Sequence, residues 1–303
     1  MTLTDTNGIL LLNKPAGITS FKALGNIKKA LKEAQGCKVK VGHTGTLDRF
    51  AEGLLVVLTG KFTRLNPVFT NFDKIYEAEI KFGVSTETLD PEGEITETAS
   101  LPDIETIKDN VINFRGKISQ RPPIYSAVHV DGERAYKQAL RGELKELPER
   151  DITIYEFEII EWNAPFLRCR IHCSKGTYIR SIARDLGHAC GSCAHLTALK
   201  RLSVGPFKSD SGVTDADFNP ETDLITGRKV FDKISEFNPD LFKVVEIHEK
   251  YESLIRNGKN INDDIFTSKP LADGKYALFC AGVFIACITR TSGQYSYLFV
   301  TAG

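Results

Sequence analysis

Residues 41–60 constrain the fold of this chain more than any other stretch, because a polar loop rich in glycine runs directly into an apolar segment. The apolar segment, residues 54–58, is rich in strand-forming side chains and predicts a buried strand or the end of a helix. Glycines in the loop let its backbone adopt positive φ angles and come close to a ligand. Asp48 stands between the two parts, where a carboxylate is held rigidly at the mouth of a cleft.

Helix capping is the alternative interpretation of Asp48. Asp is a favoured N-cap residue, and the turn that it would cap spans residues 49–53, with Glu52 close behind. The local sequence by itself favours capping over catalysis. The choice between the two roles therefore depends on what the rest of the chain places around Asp48.

The composition is that of an ordinary soluble globular protein of one or two domains. Of its 303 residues, 42% are hydrophobic and 26% are charged. No apolar run approaches the roughly 20 residues of a membrane-spanning helix, and the N-terminus lacks the features of a secretory signal. Seven cysteines spread along the chain fit a reduced protein better than a disulfide framework. We therefore expect a soluble, cytoplasmic protein.

The charges are unevenly distributed, although 39 basic and 39 acidic residues give a net charge of zero. Residues 1–70 carry ten basic and four acidic side chains, and residues 165–210 carry eight and two. Residues 73–110 carry three basic and eleven acidic side chains. Two basic segments can form one basic face that suits a polyanion, or they can be ordinary solvated surface.

Alternating and amphipathic patterns predict a protein of mixed helices and strands. Residues 74–82 alternate as a half-buried strand, and this periodicity places Tyr76 on the apolar side, in the core. Thr177 is positioned to cap a helix on which Arg180 and Arg184 are one turn apart and share a side. The last sixty residues instead show short β-like runs joined by glycine-containing turns, which predicts a small β-rich module.

Several common chemistries have no motif in this chain. There is no G-x-x-x-x-G-K-[ST] phosphate loop, no G-x-G-x-x-G fingerprint and no G-x-S-x-G nucleophile elbow. Cys190 and Cys193 have C-x-x-C spacing, but no second ligand pair stands at a recognisable spacing. A zinc site and a redox pair are alternatives for these cysteines, and small residues in a turn after a helix are the simpler interpretation.

The remaining polar residues suit chemistry that needs no cofactor. A carboxylate next to an arginine keeps its negative charge, because the opposite charge lowers the carboxyl pKa. Such a carboxylate can act as a nucleophile or a base without a metal. Aromatic side chains beside basic patches suit RNA recognition, in which a flipped-out base stacks while its phosphates are neutralised.

Five sequence motifs occur in a fixed order along the first two thirds of the chain. They are residues 13–20 (NKPAGITS), 42–48 (GHTGTLD), 121–127 (RPPIYSA), 132–136 (GERAY) and 175–187 (KGTYIRSIARDLG). No single motif is decisive, but the ordered set is specific, and it strongly resembles the TruB family of bacterial tRNA pseudouridine synthases. The resemblance covers about residues 9 to 207.

This resemblance implies an α+β pseudouridine synthase fold, in which a central, mainly antiparallel mixed sheet is flanked by helices and loops. Residues 1–240 would form the catalytic domain, with a thumb-like insertion at about 122–150 that closes over the RNA. Residues 241–303 would form a small β-rich, PUA-like RNA-binding domain. The implied activity is isomerisation of uridine 55 in the T loop of tRNA to pseudouridine, with no cofactor and no metal. The implied partner is the T stem-loop of tRNA rather than DNA or a membrane, and we expect a monomer.

The resemblance also implies three catalytic residues. Asp48 matches the essential Asp, which starts cleavage of the N-glycosidic bond by attacking carbon or by removing a ribose proton. Arg180 matches the Arg that pairs with this Asp. Tyr178 matches the Tyr that is placed to assist proton transfer at C5 of the base.

Four further residues are implied to contact or support the substrate. Tyr76 matches the aromatic residue that stacks on the target base, which replaces the core role that its periodicity predicts. His43 matches the His that props the opened T loop, and Leu199 matches an apolar residue against the base. Lys14, grouped with these substrate-binding residues, belongs to a loop that braces the catalytic loop.

The chain departs from the family pattern directly after Asp48. The family's loop continues with Pro-Leu-Ala, whereas this chain has Arg-Phe-Ala at 49–51. Without the proline the loop loses a rigid residue and gains a charge, so that Arg49 can compete for the carboxylate or contact phosphate. Two other function classes stay open: a tRNA-binding folding factor without catalysis, and a thiol or zinc protein that uses Cys190 and Cys193.

Overall fold

The computed structural model describes residues 6–126, 129–130, 133–135, 138, 141, 147–268 and 271–301. Their α-helices are α1 (Ser20–Ala23), α2 (Gly25–Gln35), α3 (Asn66–Thr70), α4 (Ile104–Val111), α5 (Ile179–Ala189), α6 (Arg228–Phe237) and α7 (Glu252–Arg256). Short 3₁₀ helices occur at Gly60–Leu65, Ile112–Phe114, Ser209–Ser211, Glu249–Tyr251 and Asp263–Ile265. No helix in the described residues is long and apolar enough to cross a membrane.

Eighteen strands are found in the same residues. The first nine are β1 (Gly8–Lys14), β2 (Val41–His43), β3 (Glu52–Thr59), β4 (Lys74–Phe82), β5 (Val84–Thr86), β6 (Ile95–Thr98), β7 (Gly116–Gln120), β8 (His129–Val130) and β9 (Glu133–Arg134). The others are β10 (Arg150–Asn163), β11 (Phe166–Cys173), β12 (Ala194–Val204), β13 (Phe207–Lys208), β14 (Ile225–Thr226), β15 (Lys243–Glu246), β16 (Gly274–Cys280), β17 (Val283–Thr291) and β18 (Gln294–Val300).

The largest sheet of the described chain has ten strands. Its order is β14-β1-β3-β12-β4-β11-β10-β7, with β2 paired to β3 and β13 paired to β12. Each pair is antiparallel except β3 and β12, which are parallel. The expected mainly antiparallel mixed sheet is therefore confirmed. This order also inserts β12 between β3 and β4, although β12 follows both strands far along the chain.

β3 is buried on both faces, which explains its uninterrupted apolar sequence. Its side chains at 54, 56 and 58 point into one core cluster, and those at 55 and 57 point into another on the opposite face. The loop that carries Asp48 leads directly into this strand. Because both faces of β3 are covered, that loop has a rigid anchor.

A further core packs α4 and α5 against β4, β11 and β12. Positions along β4 alternate between buried and half-buried, as the sequence predicts, and Tyr76 is among the buried ones. The predicted apolar stripe of α5 is also buried, at Ile179, Ile182, Ala183 and Leu186. The face of the sheet beneath α5 is where the candidate site lies.

Beyond residue 240 the strands β15, β16, β17 and β18 form a separate sheet. The expected β-rich C-terminal region is therefore confirmed, whereas its PUA-like character stays a prediction. This sheet shares a core with the N-terminal part of the chain. The ring centroid of Phe284 lies 5.4 Å from that of Phe62 and 4.9 Å from that of Phe231.

The helix-capping interpretation of Asp48 is wrong. Residues 49–53 form no helical turn, because the chain bends after Asp48 and enters β3 at Glu52. The predicted cap at Thr177 is wrong too. The helix α5 starts at Ile179, so Tyr178 and not Thr177 is in the N-cap position.

Much of the predicted thumb, residues 122–150, lies outside the described residues, as do Gly132 and Tyr136 of its GERAY motif. The residue directly before this segment, Arg121, is described and is fastened to α5. The carbonyl oxygen of Arg121 accepts hydrogen bonds from the Ser181 hydroxyl at 2.8 Å and from Nη2 of Arg184 at 2.9 Å.

Candidate active site

A pocket of about 610 Å³ opens beside α5. Its walls come from the loop before β3, from β4 and β12, and from the loop that leads into α5. Five of the seven residues that the sequence assigns to a site line this pocket, namely Asp48, Tyr76, Tyr178, Arg180 and Leu199. The fold thus brings together side chains that are widely separated in the sequence.

Asp48 and Arg180 form a two-point ion pair at the pocket wall. Nη2 of Arg180 donates a hydrogen bond to Oδ1 of Asp48 at 3.1 Å, and Nε of Arg180 lies 2.9 Å from Oδ2. The Arg180 side chain is only 5% exposed, whereas that of Asp48 is 36% exposed. Paired contacts of this kind fix the orientation of a carboxylate as well as its position. The carboxylate is therefore held firmly yet stays accessible from the pocket.

Arg180 is itself held by two other segments of the chain. Its Nη1 donates to the Thr88 carbonyl oxygen at 2.9 Å and to Oδ2 of Asp90 at 3.3 Å. Its Nη2 also donates to the Tyr125 carbonyl oxygen at 3.0 Å. Because nearly all its donors are engaged, the guanidinium has a single favoured position against Asp48.

Asp90 is a site residue that the sequence analysis missed. It is 4% exposed, and its Oδ1 accepts hydrogen bonds from the Thr88 hydroxyl and from the backbone N–H of Glu92. The preceding residue, Leu89, has a φ of 61°, which few non-glycine residues adopt. The turn residues around Asp90 were the available signal, but nothing in a loop sequence identifies its partner on α5.

The pKa of Asp48 is raised above its ordinary value because the carboxyl group is desolvated. The positive charge of Arg180 opposes this change, and the negative charge of Asp90 adds to it. The group is thus a more basic carboxylate than one in water, and the arginine limits that effect. Both properties suit a base or a nucleophile.

Tyr76 and Leu199 form the apolar side of the pocket. Tyr76 lies opposite Arg201 in the pairing of β4 with β12, and Leu199 lies opposite Ala78. Tyr76 is 8% exposed and belongs to the core beneath α5 while it also lines the pocket. The core position that the periodicity predicts is therefore confirmed, and the stacking role that the resemblance implies stays a prediction.

Tyr178 is positioned by the side chain of Gln120. The Tyr178 N–H donates to Oε1 of Gln120 at 2.8 Å, and Nε2 of Gln120 donates to the Tyr178 carbonyl oxygen at 3.0 Å. Gln120 is 1% exposed, so this pairing is shielded from water. The guanidinium of Arg150 lies 4.7 Å from the centre of the Tyr178 ring. Tyr178 is therefore fixed at its backbone and covered on one ring face.

Two buried cations, which the sequence analysis also missed, line the pocket. Arg201 is 2% exposed and donates to the Leu54 carbonyl oxygen at 2.7 Å and to the Gly45 carbonyl oxygen at 3.0 Å. Lys74 donates to the Thr70 carbonyl oxygen at 2.9 Å, and burial lowers its pKa to about 8. Both stabilise the backbone around the pocket and add positive potential to it.

Lys14 lies outside the pocket lining and is 1% exposed. Its Nζ donates to the carbonyl oxygens of Pro15 and Ile18, both at 2.8 Å, and to that of Arg49 at 3.4 Å. Burial lowers the pKa of Lys14 to about 8, while the nearby Asp48 acts in the opposite direction. These contacts connect the NKPAGITS loop to the residue directly after Asp48.

His43 also lies outside the pocket lining, on β2. Its Nδ1 is buried and has no hydrogen-bond partner among the described residues. Burial lowers the pKa of His43, and the positive charges of Arg201 and Lys28 act in the same direction. The ring is therefore a neutral group close to two cations.

Arg49 does not compete for Asp48. Its Nε donates to the Gly17 carbonyl oxygen at 3.1 Å and lies 3.6 Å from a carboxylate oxygen of Glu92. The carbonyl oxygen of Arg49 accepts from the N–H of Gly17 at 2.8 Å. These contacts hold the loop from its outer side, and a proline at position 49 could keep the carbonyl bond but not the contacts of Nε.

The two cysteines of the C-x-x-C pair have separate surroundings. The Cys190 thiol lies 3.9 Å from the Thr106 carbonyl oxygen, and the Cys193 thiol lies 3.7 Å from that of Glu97. Burial raises the pKa of Cys190 to about 11, which lowers its reactivity as a thiolate. Within the described chain, no group of three His, Cys, Asp or Glu side chains has a metal-binding arrangement.

Two solved complexes contain chains with a similar fold. The whole chain aligns with 90% of a chain in the crystal structure of a Cbf5-Nop10-Gar1 complex, with a TM-score of 0.64 and 22% identity. A chain in the crystal structure of the archaeal box H/ACA sRNP Nop10-Cbf5 complex is also similar. The alignment covers 98% of this chain and 85% of that chain, with a TM-score of 0.65 and 21% identity. At such identities the likeness concerns the fold alone.

Family models and curated relatives identify the class and then the family. Residues 28–179 match the TruB family pseudouridylate synthase N-terminal domain, and residues 180–226 match the tRNA pseudouridylate synthase B C-terminal domain. Together with the fold and the site, these matches define a pseudouridylate synthase.

Relatives named tRNA pseudouridine synthase B occur in several bacteria. That of Borreliella burgdorferi is 48% identical over 205 residues, which cover 67% of this chain and 71% of the relative. That of Clostridium kluyveri is 34% identical, and the match covers 91% of this chain and 92% of the relative. That of Francisella philomiragia is 37% identical, and the match covers 96% of this chain and 93% of the relative. The chain belongs to the TruB family.

Proposed function

We propose that this protein isomerises uridine 55 in the T loop of tRNA to pseudouridine, in the cytoplasm and as a monomer. Its family consists of pseudouridylate synthases, and its relatives are named for tRNA. The observation that carries the proposal is the Asp48 carboxylate, which Arg180 holds at the wall of a pocket lined by three tyrosines. A pocket of about 610 Å³ is within the range that takes a flipped-out nucleotide.

The reaction exchanges one bond of the nucleoside for another. The bond from C1′ to N1 breaks, the base turns, a bond from C1′ to C5 forms, and the proton at C5 leaves while N1 gains one. Asp48 starts the cleavage, as a nucleophile at carbon or as a base toward a ribose C–H. Its raised pKa favours either role, and Arg180 keeps it ionised and oriented. Tyr178 assists removal of the C5 proton.

Binding of the base is assigned to the apolar side of the pocket. Tyr76 stacks on the flipped uracil and Leu199 packs against it, while the buried charges of Arg201 and Lys74 attract the RNA backbone toward the pocket. His43 props the opened loop from outside the pocket. Lys14 supports this arrangement indirectly, through the loop that it braces.

Two regions are assigned to the remainder of the RNA. The thumb, at about 122–150, closes over the T loop from its attachment on α5. The sheet of residues 241–303 acts as a PUA-like domain toward the acceptor side of the tRNA. The two basic segments, residues 1–70 and 165–210, both contribute residues to the pocket lining. They suit a polyanionic partner, and binding should weaken steeply with salt.

A T-arm hairpin transcribed without modification tests this function. We expect the wild-type protein to form one pseudouridine, at the position that corresponds to residue 55, as mapped by chemical derivatisation. Asp48→Asn should form none, whereas Asp151→Asn, at an exposed carboxylate paired with Lys117, should act as wild type does. A wild-type protein without product, or a fully active Asp48→Asn, would contradict the proposal. Tight binding with unchanged uridine would instead support the folding-factor alternative.

A further inference from the structure

Phe21 has the largest exposed fraction among the exposed large hydrophobic residues of the described chain, at 76%. It lies on α1, where its neighbour Ser20 and the later Ala23 are both buried. The short helix therefore faces inward through these two residues and presents the phenyl ring to solvent. An aromatic ring in such a position is outside the core, and its exposed face is available for stacking.

Phe21 is also next to the catalytic loop. The Ser20 hydroxyl accepts a hydrogen bond from the N–H of Leu47 at 2.9 Å and donates one to the Leu47 carbonyl oxygen at 3.0 Å. Leu47 precedes Asp48 and lines the pocket. Two adjacent residues on α1 thus have complementary positions, one fastened to the catalytic loop and the other exposed beside it.

A cation lies over the Phe21 ring. Nζ of Lys28 is 4.5 Å from the ring centroid, and no carboxylate of the described residues forms a salt bridge with Lys28. The helices α1 and α2 together carry four lysines and one glutamate. The positive charge of Lys28 also helps to lower the pKa of His43, on β2. We call Phe21 and Lys28 the rim patch.

We propose that the rim patch binds an unpaired nucleobase and its adjoining phosphate, from the same RNA loop whose uridine enters the pocket. This inference rests on the proposed function for the identity of the RNA. An exposed aromatic face stacks on any base, and a lysine without an acidic partner neutralises a phosphate. The positive charge of α1 and α2 and the direct link to the catalytic loop favour RNA over an apolar protein partner.

The rim patch would also explain how the loop is positioned. Phe21 holds a base outside the pocket while Asp48 acts on another base inside it. Because Ser20 connects α1 to Leu47, RNA stacked on Phe21 has a fixed position relative to Asp48. Phe21 is therefore assigned a binding and positioning role, and not a catalytic one.

The test measures hairpin affinity in the full-length protein by fluorescence anisotropy. All variants carry Asp48→Asn, so that the uridine stays unchanged during the measurement. Phe21→Ala should bind the T-arm hairpin about 10-fold more weakly, since one base stack is lost, and Phe21→Trp should restore the affinity. Lys28→Ala should reduce the slope of log affinity against log salt by about one. Phe237→Ala and Lys233→Ala, on α6, are the matched controls and should stay within about twofold.

A set of hairpins with single abasic nucleotides in the loop identifies the stacked base. At one loop position, the abasic nucleotide should weaken binding to the protein that retains Phe21. The same hairpin should bind Phe21→Ala about as well as the intact hairpin does, because both changes remove the same contact. Unchanged affinity of Phe21→Ala, or the absence of any such coupled position, would overturn the proposal. Because every protein in this test is catalytically disabled, failure of wild type to form pseudouridine would reject the proposed function and leave this result standing.

Discussion

At the scale of single residues, Arg180 connects three segments of the chain at one guanidinium. It contacts Asp48 from the loop before β3, Asp90 from the loop after β5, and the carbonyl oxygen of Tyr125 from the segment after β7. A buried arginine between two carboxylates has its charge balanced and its position fixed. Asp90 therefore acts on Asp48 through Arg180 and also directly, through its negative charge.

Replacing Asp90 should change the pH dependence of the reaction. The negative charge of Asp90 raises the pKa of Asp48, so Asp90→Asn should lower that pKa. In the proposed mechanism, activity needs the ionised carboxylate and falls as pH drops through its pKa. The acid limb of the single-turnover profile should therefore move to lower pH. The rate at neutral pH should fall about 10-fold, because Arg180 loses a charge-assisted hydrogen bond of about 1.5–3 kcal/mol. An acid limb that stays in place, or moves to higher pH, would contradict this.

Lys14 should give the protein a recognisable stability change at alkaline pH. Its pKa is lowered to about 8 in the folded chain and lies near 10.5 when unfolded. Between these values the unfolded chain binds more protons, so the free energy of unfolding should rise with pH. Urea titrations at pH 7.5 and 9.5 should show this rise for wild type and a smaller one for Lys14→Met, in which the contribution of Lys74 remains. Equal rises in the two proteins would show that Lys14 does not contribute to the pH dependence of the free energy of unfolding.

At the scale of elements, the pocket depends on the close approach of β3 and β12. These strands are parallel and pair Arg201 with Gly53. Gly53 has a φ of 98°, and a Cβ atom there would lie 2.4 Å from the Arg201 carbonyl oxygen. Glycine is therefore required at this position, both for the backbone angle and for the space.

Gly53→Ala should destabilise the protein by at least ~2 kcal/mol, since it adds a strained φ and a steric clash. The matched control is Gly42→Ala on β2, where a Cβ would meet nothing within 4 Å. Urea denaturation of both variants provides the measurement. Equal stabilities of the two variants would show that β3 and β12 separate without cost.

The sequence predicted elements well where local periodicity determines them. The alternation of β4 and the apolar stripe of α5 were both confirmed, because each depends on neighbours in the sequence. Pairing between distant segments has no local signal. For that reason Asp90 and Arg201 were missed. Periodicity placed Tyr76 in the core, and the resemblance placed it against the target base. In the structure Tyr76 belongs to the core and also lines the pocket.

The departure at Arg49 shows the same limit at a smaller distance. A charged residue after Asp48 suggested competition for the carboxylate, but its partners are Gly17 and Glu92. Neither partner can be identified from the loop sequence alone, since one comes from the NKPAGITS motif and the other from the turn near Asp90. The structure therefore gives Arg49 a bracing contact where the family has a rigid proline.

At the scale of the whole molecule, the two sheets share an aromatic core. Phe62 and Phe231 from the N-terminal part pack on Phe284 and Phe299 from the C-terminal sheet. These rings are almost completely buried. The predicted boundary at residue 240 thus separates two sheets that bury their apolar surface together, and we expect them to unfold together.

Phe284→Ala should lower the free energy of unfolding by about 3–5 kcal/mol, as large aromatic truncations in cores do. Circular dichroism and tryptophan fluorescence from Trp162, which lies in the N-terminal part on β10, should report one shared transition at the lower urea concentration. Val283→Ala, at a side chain that is 55% exposed on the same strand, should have little effect. A fluorescence transition that does not move would indicate that the two sheets unfold independently.

The order of the strands has a consequence for folding of the chain during its synthesis on the ribosome. Asp48 and its partner Arg180 are 132 residues apart in the sequence. At synthesis rates of 5–20 residues per second, roughly 7–26 s separate the emergence of the two side chains. β12, which completes the pocket wall, emerges later still. A nascent chain therefore exposes Asp48 without its arginine and without β12, and the pocket is complete only when synthesis is well advanced.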